Sequence, residues 1–217
     1  MKPVLAFCMM MIAAPSTAQP VASAPATGCE LHVWPAARLQ ATTTGWASQL
    51  GMIGSLADRA GHASGDRARR ANLVTALDPK SQLAALQELD LVGLLGLQPA
   101  QIIAHPESLD GKAAKTTVRH TPSTSPCYAE LIVSGVLYQK TAVHGRALKT
   151  GFVFRDFGSA GQQARRSAAT GENALTLFPP KDSEEVSGSN AELVSVFQRN
   201  FVEAAANFVV QRLMGKR

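Results

Sequence analysis

Apolar and polar positions alternate in some parts of this chain and recur at helical spacing in others. Residues 30–36 alternate and then end at a proline, which predicts a first strand. Apolar side chains recur every three or four positions over residues 45–60, and again over residues 78–96, so each stretch predicts a helix. Residues 100–106, with the sequence AQIIAHP, predict a second short strand.

The two predicted helices carry different boundary signals. Thr43 or Thr44 is placed to cap the first helix and Gly61 to end it, although each glycine inside it weakens the helix by up to about 1 kcal/mol. Asp78 is placed to cap the second helix, because a proline follows it in the first turn.

The most regular alternation lies in residues 127–158 and divides into two runs around Gly145. It predicts a β-hairpin with one face for helices and the other face partly wet. Three charged side chains, Glu130, Lys149 and Arg155, fall on the wet face, where each cross-strand pair contributes roughly 0.2 to 1 kcal/mol. This pattern is typical of a structural frame.

The last third of the chain predicts one short strand and one long helix. Residues 174–178 form the strand, which two prolines end. Ser189 and Glu192 match a capping box, which predicts the start of the helix. Its amphipathic stripe comprises Val194, Phe197, Phe201, Phe208 and Leu213. Residues 107–126 are polar and rich in turn formers, which predicts a long surface connection.

Together these elements predict an α+β fold. A mixed sheet that includes the hairpin is covered by helices, and a long amphipathic helix ends the chain. The chain has 217 residues, enough for one sizeable domain after the leader, so residues 29–217 are predicted to form a single globular unit. Residues 19–28 are rich in proline, alanine and serine and predict a flexible leader.

The first residues predict export. Lys2 precedes an apolar run over residues 4–14 and a small-residue stretch before Gln19, which is the layout of a secretory signal peptide over residues 1–18. The apolar run is shorter than the roughly 20 residues that span a bilayer. We therefore expect a periplasmic or secreted protein, with an uncleaved anchor as the alternative.

Two cysteines remain once Cys8 leaves with the signal peptide. Cys29 and Cys127 each lie at the entrance to a predicted strand, and an exported chain meets an oxidising compartment. If the two strands are parallel neighbours, their starts meet, so we predict a Cys29–Cys127 disulfide. Unpaired thiols, an intermolecular bridge and lipid attachment at Cys29 stay open as alternatives.

The charge of the chain excludes some partners. The formal net charge of +5 is mild and is not gathered into a stripe, so no nucleic-acid partner is predicted. The densest basic cluster, residues 66–70, carries its own aspartate and indicates a solvated helix end or a loop. The apolar face of residues 45–60 fits burial on the domain's own sheet, with contact to a membrane or a partner helix as the alternative.

The sequence contains no motif that identifies a reaction. It has no phosphate-binding loop, dinucleotide fingerprint, HExxH pair or CxxC pair, so no cofactor, metal or catalytic residue is predicted. Glu130 and Asp156 lie beside basic residues, which predicts ion pairs on a solvated face. These observations favour a non-enzymatic accessory or protein-binding protein.

The histidines support one alternative from another class. They stand at positions 32, 62, 105, 120 and 144, without the spacing of a metal site. His32 and His105 would meet only if their strands are neighbours, and surface or hydrogen-bonded roles are the simpler interpretation. The alternative function is a small periplasmic hydrolase whose site assembles from loop residues such as His62, Ser64 and His120.

The order of the elements resembles the α/β domain shared by the curli-secretion lipoprotein CsgG and the N-terminal domain of TolB. In that group a strand ending in proline, similar to LHVWPA here, opens the domain. A strand similar to LIVSGVL then enters a hairpin whose second arm resembles FVFRDFGSAG, before an amphipathic last helix. The resemblance spans most of residues 30–213. It implies a non-enzymatic protein that binds another envelope protein and assists secretion or envelope assembly.

Overall fold

The fold is α+β, as predicted, in the computed structural model, which describes residues 28–44, 52–142, 145–159 and 165–214. The strands are β1 (Cys29–Trp34), β2 (Leu39–Thr44), β3 (Ala100–Ala104), β4 (Cys127–Thr141), β5 (Gly145–Ser159) and β6 (Arg165–Ala174). The helices are α1 (Met52–Ala76), α2 (Pro79–Gln87), α3 (Leu91–Leu94) and α4 (Val186–Met214). The predicted signal peptide and nearly all of the predicted leader lie outside the described residues.

One mixed sheet holds six strands among the described residues: five follow the order β3-β1-β4-β5-β6, and β2 pairs with β4 beside this path. The first three are parallel, whereas β4, β5 and β6 are joined in antiparallel pairs. The strand β4 is long, so two strands pair with it along the same edge. β1 pairs with its first half and β2 with its second half. The predicted hairpin of β4 and β5 is therefore the centre of the sheet and its frame.

The disulfide prediction is confirmed. Cys29 and Cys127 begin the parallel neighbours β1 and β4, and a disulfide joins them across a Cα–Cα distance of 4.6 Å. The bridge ties the first strand to the central strand and closes a sequence separation of 98 residues.

Helices cover one face of the sheet and form the main core with it. The inward side chains of β1, β4 and β5 pack against α1, α2 and α4. Among the helices in the described ranges, none has the length and apolar composition needed to cross a bilayer.

Phe201 tests the predicted stripe on α4. Its side chain is fully buried, and its ring lies 5.4 Å from that of Phe152, centroid to centroid. Phe201→Ala should lower the free energy of unfolding by about 3 to 5 kcal/mol, because it leaves a cavity in the core. Val202→Ala on the exposed side of the same turn should change it by less than about 0.5 kcal/mol. Denaturant titration of both variants checks this, and equal effects would contradict the assignment.

The opposite face of the sheet is wet only in part, as predicted. Lys149 is nearly half exposed and pairs across strands with Glu172, and Glu130 pairs across strands with Arg155, but the wet surroundings predicted for Glu130 and Arg155 are wrong. Residues 105–126, which we call the strap, lie over this face and bury Trp34, Ile132 and Val153 against Ala114. Burial extends to charged side chains, because Glu130 and Arg155 both have no exposed area. The strap is polar because its side chains and backbone form hydrogen bonds with polar groups on this face of the sheet. It does not lie free in solvent.

The first helix differs from its predicted bounds. Its described part runs from Met52 through Gly61 to Ala76, so the basic cluster at residues 66–70 lies inside the helix and not at a helix end or in a loop. The physical reason is the high helix propensity of the alanine, arginine and leucine residues between positions 67 and 76, which outweighs Gly61 and Gly65 at about 1 kcal/mol each. Residues 45–51 lie outside the described residues, so the predicted membrane or partner contact there is not described.

The second predicted helix is divided in two. Asp78 caps α2, as predicted, by accepting a hydrogen bond of 2.6 Å from the Ser81 backbone N–H. The helix ends at Gln87, and the separate short helix α3 is capped by Asp90, whose carboxylate accepts from the Gly93 N–H. The Asp90 side chain bonds to a backbone N–H group inside the predicted helix. It thereby ends that helix and caps the start of α3.

The last third of the chain contains two corrections. The strand lies at Arg165–Ala174, not at residues 174–178, and its small residues allow α4 to approach closely. A Cβ added at Gly171 would lie 2.3 Å from the Asn200 carbonyl oxygen. Because the strand packs on a helix through small side chains, it lacks the apolar alternation that marks a strand.

The predicted capping box is wrong. The helix α4 begins at Val186, so Ser189 lies within it. The carboxylate of Glu192 turns away from the helix start and accepts backbone hydrogen bonds of 2.7 to 2.9 Å from Thr176, Leu177 and Phe178. Leu213 is also not part of the core, since 60% of its area is exposed.

Candidate functional site

Four side chains form a hydrogen-bonded chain between β1 and the strap. His32 lies in the middle of β1, and its Nε2 is 3.1 Å from the Glu30 carboxylate. Its Nδ1 is 2.8 Å from Nε2 of His105, the first residue of the strap. The remaining nitrogen of His105 is 3.3 Å from the carboxylate of Glu107. His32 and His105 therefore meet, as the parallel pairing of β1 with β3 requires.

A buried ion pair lies beside this chain on the same face. Glu130 and Arg155 stand directly opposite each other on β4 and β5, and the Arg155 Nη1 is 2.9 Å from the Glu130 carboxylate. The second Glu130 oxygen accepts hydrogen bonds from the Tyr128 hydroxyl and the His120 backbone N–H, each 2.8 Å long. Arg155 also donates to the Val118 carbonyl oxygen. The charge pair thus holds the middle of the strap.

The ring of His120 accepts a hydrogen bond in this cluster. Its Nε2 is 2.7 Å from the Arg155 Nη1, and a guanidinium group only donates. The proton of a neutral His120 ring must then sit on Nδ1. Burial lowers the pKa of His120, with Arg155 acting in the same direction against the opposing charge of Glu130, so the neutral ring is favoured.

Aromatic rings pack around these polar groups. The ring of Trp34 stacks on that of His105 at a centroid distance of 4.2 Å and an angle of 4°. On the other side, the guanidinium group of Arg119 lies over the ring of Tyr128 at 4.8 Å. Burial, followed by the interaction with Glu130, raises the pKa of the Tyr128 hydroxyl. The rings pack beside His32 and the ion pair, which are buried, whereas Glu107 at the end of the chain is exposed.

The arrangement stabilises the strap and does not form a metal site. Within the described residues, no group of three or more His, Cys, Asp or Glu side chains could hold a metal ion. The hydroxyl of Ser123 donates a 2.5 Å hydrogen bond to the Glu30 carboxylate, so it joins the strap to β1. Asp156, predicted to form an ion pair, instead accepts from the Gly158 N–H.

Two residues of the hydrolase alternative, Ser64 and His120, are not brought together. Ser64 is exposed on α1, which packs on the helix-covered face, whereas His120 belongs to the strap on the opposite face. The side chain of His62 and all of His144 lie outside the described part of the chain.

A cleft opens beside the disulfide, where the strands β1 and β4 begin. It consists of two adjoining cavities of about 430 and about 420 Å³, which share Asp156 and Arg212 in their walls. The first cavity is lined mainly by apolar groups, namely Leu97, Ala100, Pro126, Ala129 and the Cys29–Cys127 bridge. The second is lined by Phe154, Phe208, Gln211, Ser167 and the arginines 165, 166 and 212. A volume of this size is in the range of binding sites for small ligands or side chains.

Exposed apolar side chains lie at the end of α4, the helix that lines part of the cleft. Val210, Leu213 and Met214 are 50, 60 and 63% exposed, and they lie on one side of the last turns of α4 at i, i+3 and i+4 spacing. Arg212, in the same turn, donates to the Gly96 carbonyl oxygen at the mouth of the first cavity. The stripe lies on the outer side of the helix, whereas Phe208, Gln211 and Arg212 line the cleft from its inner side. We call this end of α4, with the stripe and the cleft, the α4 surface.

The comparisons with known proteins assign no family. No family model matches the chain, and no curated protein matches it. The hypothetical protein CT253 from Chlamydia trachomatis has a solved structure with a TM-score of 0.35 and 10% identity, over 84% of this chain and 95% of that chain. A second solved structure, of an uncharacterized protein, has a TM-score of 0.25 and 8% identity, over 85% of this chain and 98% of that chain.

Sequence reasoning missed most of this site. The alternating pattern places Glu30, His32 and Trp34 on the face opposite Leu31 and Val33, and the same pattern places Glu130 beside Arg155. A sheet face that carries a tryptophan, in a chain with histidines in two other segments, indicates that another part of the chain covers this face. The strap residues that bond to these side chains do not recur at strand or helix spacing, so the hydrophobic pattern of the sequence could not have located them.

Proposed function

We propose that this protein is a non-enzymatic, exported accessory protein that binds another envelope protein through the α4 surface. The observation that carries the proposal is the exposed apolar stripe of Val210, Leu213 and Met214 at the end of α4, the inner side of which lines a cleft with three arginines in its wall. Large apolar side chains that are exposed together on one side of a helix are typical of protein-binding sites.

The charges of the cleft indicate the chemistry of the partner. Among its described lining residues, the second cavity has Arg165, Arg166 and Arg212 and a single carboxylate, that of Asp156. Guanidinium groups form paired hydrogen bonds to carboxylates. A partner that packs apolar side chains on the outer side of α4 and carries an aspartate or glutamate that reaches the arginines at the helix end fits this chemistry.

The compartment is part of the proposal. The disulfide indicates an oxidising environment, because structural disulfides persist mainly in exported proteins. A cleaved signal peptide over residues 1–18 and a periplasmic or secreted location agree with it. The resemblance to the CsgG and TolB group supports the further step, a role in envelope assembly or secretion.

The buried polar side chains bond to one another and to the strap, which supports a role without catalysis. Glu130, Arg155 and His120 bond to one another and to the strap, and His32 bonds to Glu30 and His105. A catalytic acid or base must reach a substrate. In this cluster the groups of that type hold the fold, and the cleft contains no serine or cysteine thiol beside a histidine among its described lining residues.

A capture experiment tests the proposal. Tagged protein would be incubated with the envelope fraction of its host, and the recovered proteins compared between the wild type, the double variant Leu213→Ser with Met214→Ser, and the control Val74→Ser. Val74 is an exposed apolar residue on α1, 43% exposed. We expect one discrete partner whose recovery falls about tenfold or more in the double variant, as for interface residues that cost 1 to 2 kcal/mol, and is unchanged in the control. Equal recovery by all three proteins would contradict the proposal.

A further inference from the structure

The hydrogen-bonded chain from Glu30 to Glu107 has a fixed proton capacity. Three contacts link its four groups: Glu30 to His32, His32 to His105, and His105 to Glu107. Each contact needs one proton, and the carboxylates only accept when they are ionised. The two imidazole rings together therefore need three protons to make all three contacts, one more than two neutral rings carry.

With both rings neutral, the chain makes two of the three contacts. His32 donates from Nε2 to Glu30, and its bare Nδ1 accepts from Nε2 of His105. The Nδ1 of His105 then carries no proton and faces the Glu107 carboxylate without a hydrogen bond. One added proton fills this position, and the resulting positive charge lies between two carboxylates.

A second added proton cannot be accommodated. Both rings would then carry protons on every nitrogen, so two N–H groups would face each other across the 2.8 Å contact between His32 and His105. Two positive charges at this distance repel strongly where the surroundings are dry, and His32 is only 3% exposed. His105 begins the strap, so the repulsion acts to lift the strap from β1.

Each element packed against the His32–His105 pair contributes charged groups. Arg119 of the strap interacts with Glu30, and on β4 Glu130 interacts with His105. Glu130 is already paired with Arg155 of β5, and His120 of the strap accepts from that arginine. These groups supply no unpaired carboxylate that could compensate a second positive charge on the histidine pair.

The titration directions agree with this geometry. Burial, followed by the nearby His32, lowers the pKa of His105. Burial raises the pKa of Glu30, but the hydrogen bonds from Ser123 and His32 outweigh it, so the net pKa is lowered and the carboxylate stays ionised in mild acid. A histidine with a lowered pKa in the folded state contributes stability that is lost as the pH falls below its ordinary value of about 6.5.

We propose that His32 and His105 form an acid-sensitive latch, which holds the strap while the pair carries at most one extra proton and releases it when a second proton binds. The released strap exposes Trp34 and the ion pair on the sheet, while the helix-covered core stays folded. This inference concerns the strap and does not depend on the partner of the α4 surface.

Trp34 provides the readout, because it is 1% exposed and stacks on His105. In a Trp46→Phe background it is the single tryptophan of the chain. Titration to acid should shift its emission to longer wavelength at a pH below about 6.5, while far-ultraviolet circular dichroism stays unchanged. Amide protection at His120 and Thr121, whose N–H groups bond to Glu130 and Tyr128, should fall over the same pH range, measured as the exchange rate relative to that of the unstructured chain at each pH.

Matched variants separate this latch from its competitors. His105→Gln should abolish the emission transition, whereas His120→Gln should retain it. Glu107→Gln changes a carboxylate that is 62% exposed, so the variant should fold, and its transition should move to lower pH by about 0.2 to 0.7 unit. Loss of the transition in His120→Gln alone, an unshifted midpoint in Glu107→Gln, or a transition that coincides with loss of circular dichroism would each overturn the proposal.

Discussion

Arg155→Ala should lower the free energy of unfolding by about 3 to 5 kcal/mol, because it leaves the Glu130 carboxylate buried without its charge partner. Both side chains have no exposed area, and they are joined at 2.9 Å. The same change removes the donors that reach His120 and the Val118 carbonyl oxygen. Urea denaturation at neutral pH measures the loss.

The matched control lies on the same strand. Lys149 on β5 pairs with Glu172 on β6 at 3.4 Å, and both side chains are nearly half exposed. Lys149→Ala should cost no more than about 1 kcal/mol, since solvent screens an exposed pair. If the two variants are equally stable, the face under the strap is hydrated and the description of a buried network is wrong.

Removal of the disulfide should have an effect of similar size. The double variant Cys29→Ser with Cys127→Ser should lose about 4 to 5 kcal/mol, because a bridge that closes a loop of about 100 residues restricts the unfolded chain. Denaturation of the wild type with and without reductant should give the same difference. Two free thiols in the denatured, unreduced monomer would contradict the bridge.

Elements with strong periodicity could be predicted from the sequence alone. The hairpin of β4 and β5 alternates over two long runs, and its register follows from which side is apolar. The phenylalanines of α4 recur at helical spacing, and they are buried. The disulfide followed because only two cysteines remain in the predicted mature chain, and each precedes a strand.

Elements that depend on tertiary contacts could not be predicted in this way. The strand β6 is built from small and polar side chains, because α4 lies against it at Gly171. The strand β2 is three threonines preceded by a short mixed stretch, and its pairing with the second half of β4 defines it. In both cases the neighbour determines the structure, and the local pattern carries little information.

The strap illustrates the same limit for the candidate site. Its sequence is polar, and a polar connection usually lies in solvent. Here Ser123 and His105 bond to Glu30 and His32, which stand on a strand far away in the sequence, and His120 bonds to Glu130 on the next strand. The α4 surface was missed for a different reason: the sequence pattern assigns Leu213 to the amphipathic stripe, but its side chain lies on the exposed side of the helix, well away from the buried phenylalanines.

Photo-crosslinking in living host cells tests the central claim, that the α4 surface binds an envelope protein, most directly. A photoreactive amino acid would replace Leu213, with Val74 as the control position, since both are exposed apolar residues on helices. The proposal predicts one discrete protein adduct from position 213 that is absent from position 74 and is lost when Arg212→Glu is added. Equal crosslinking from both positions, or an adduct unaffected by Arg212→Glu, would contradict it.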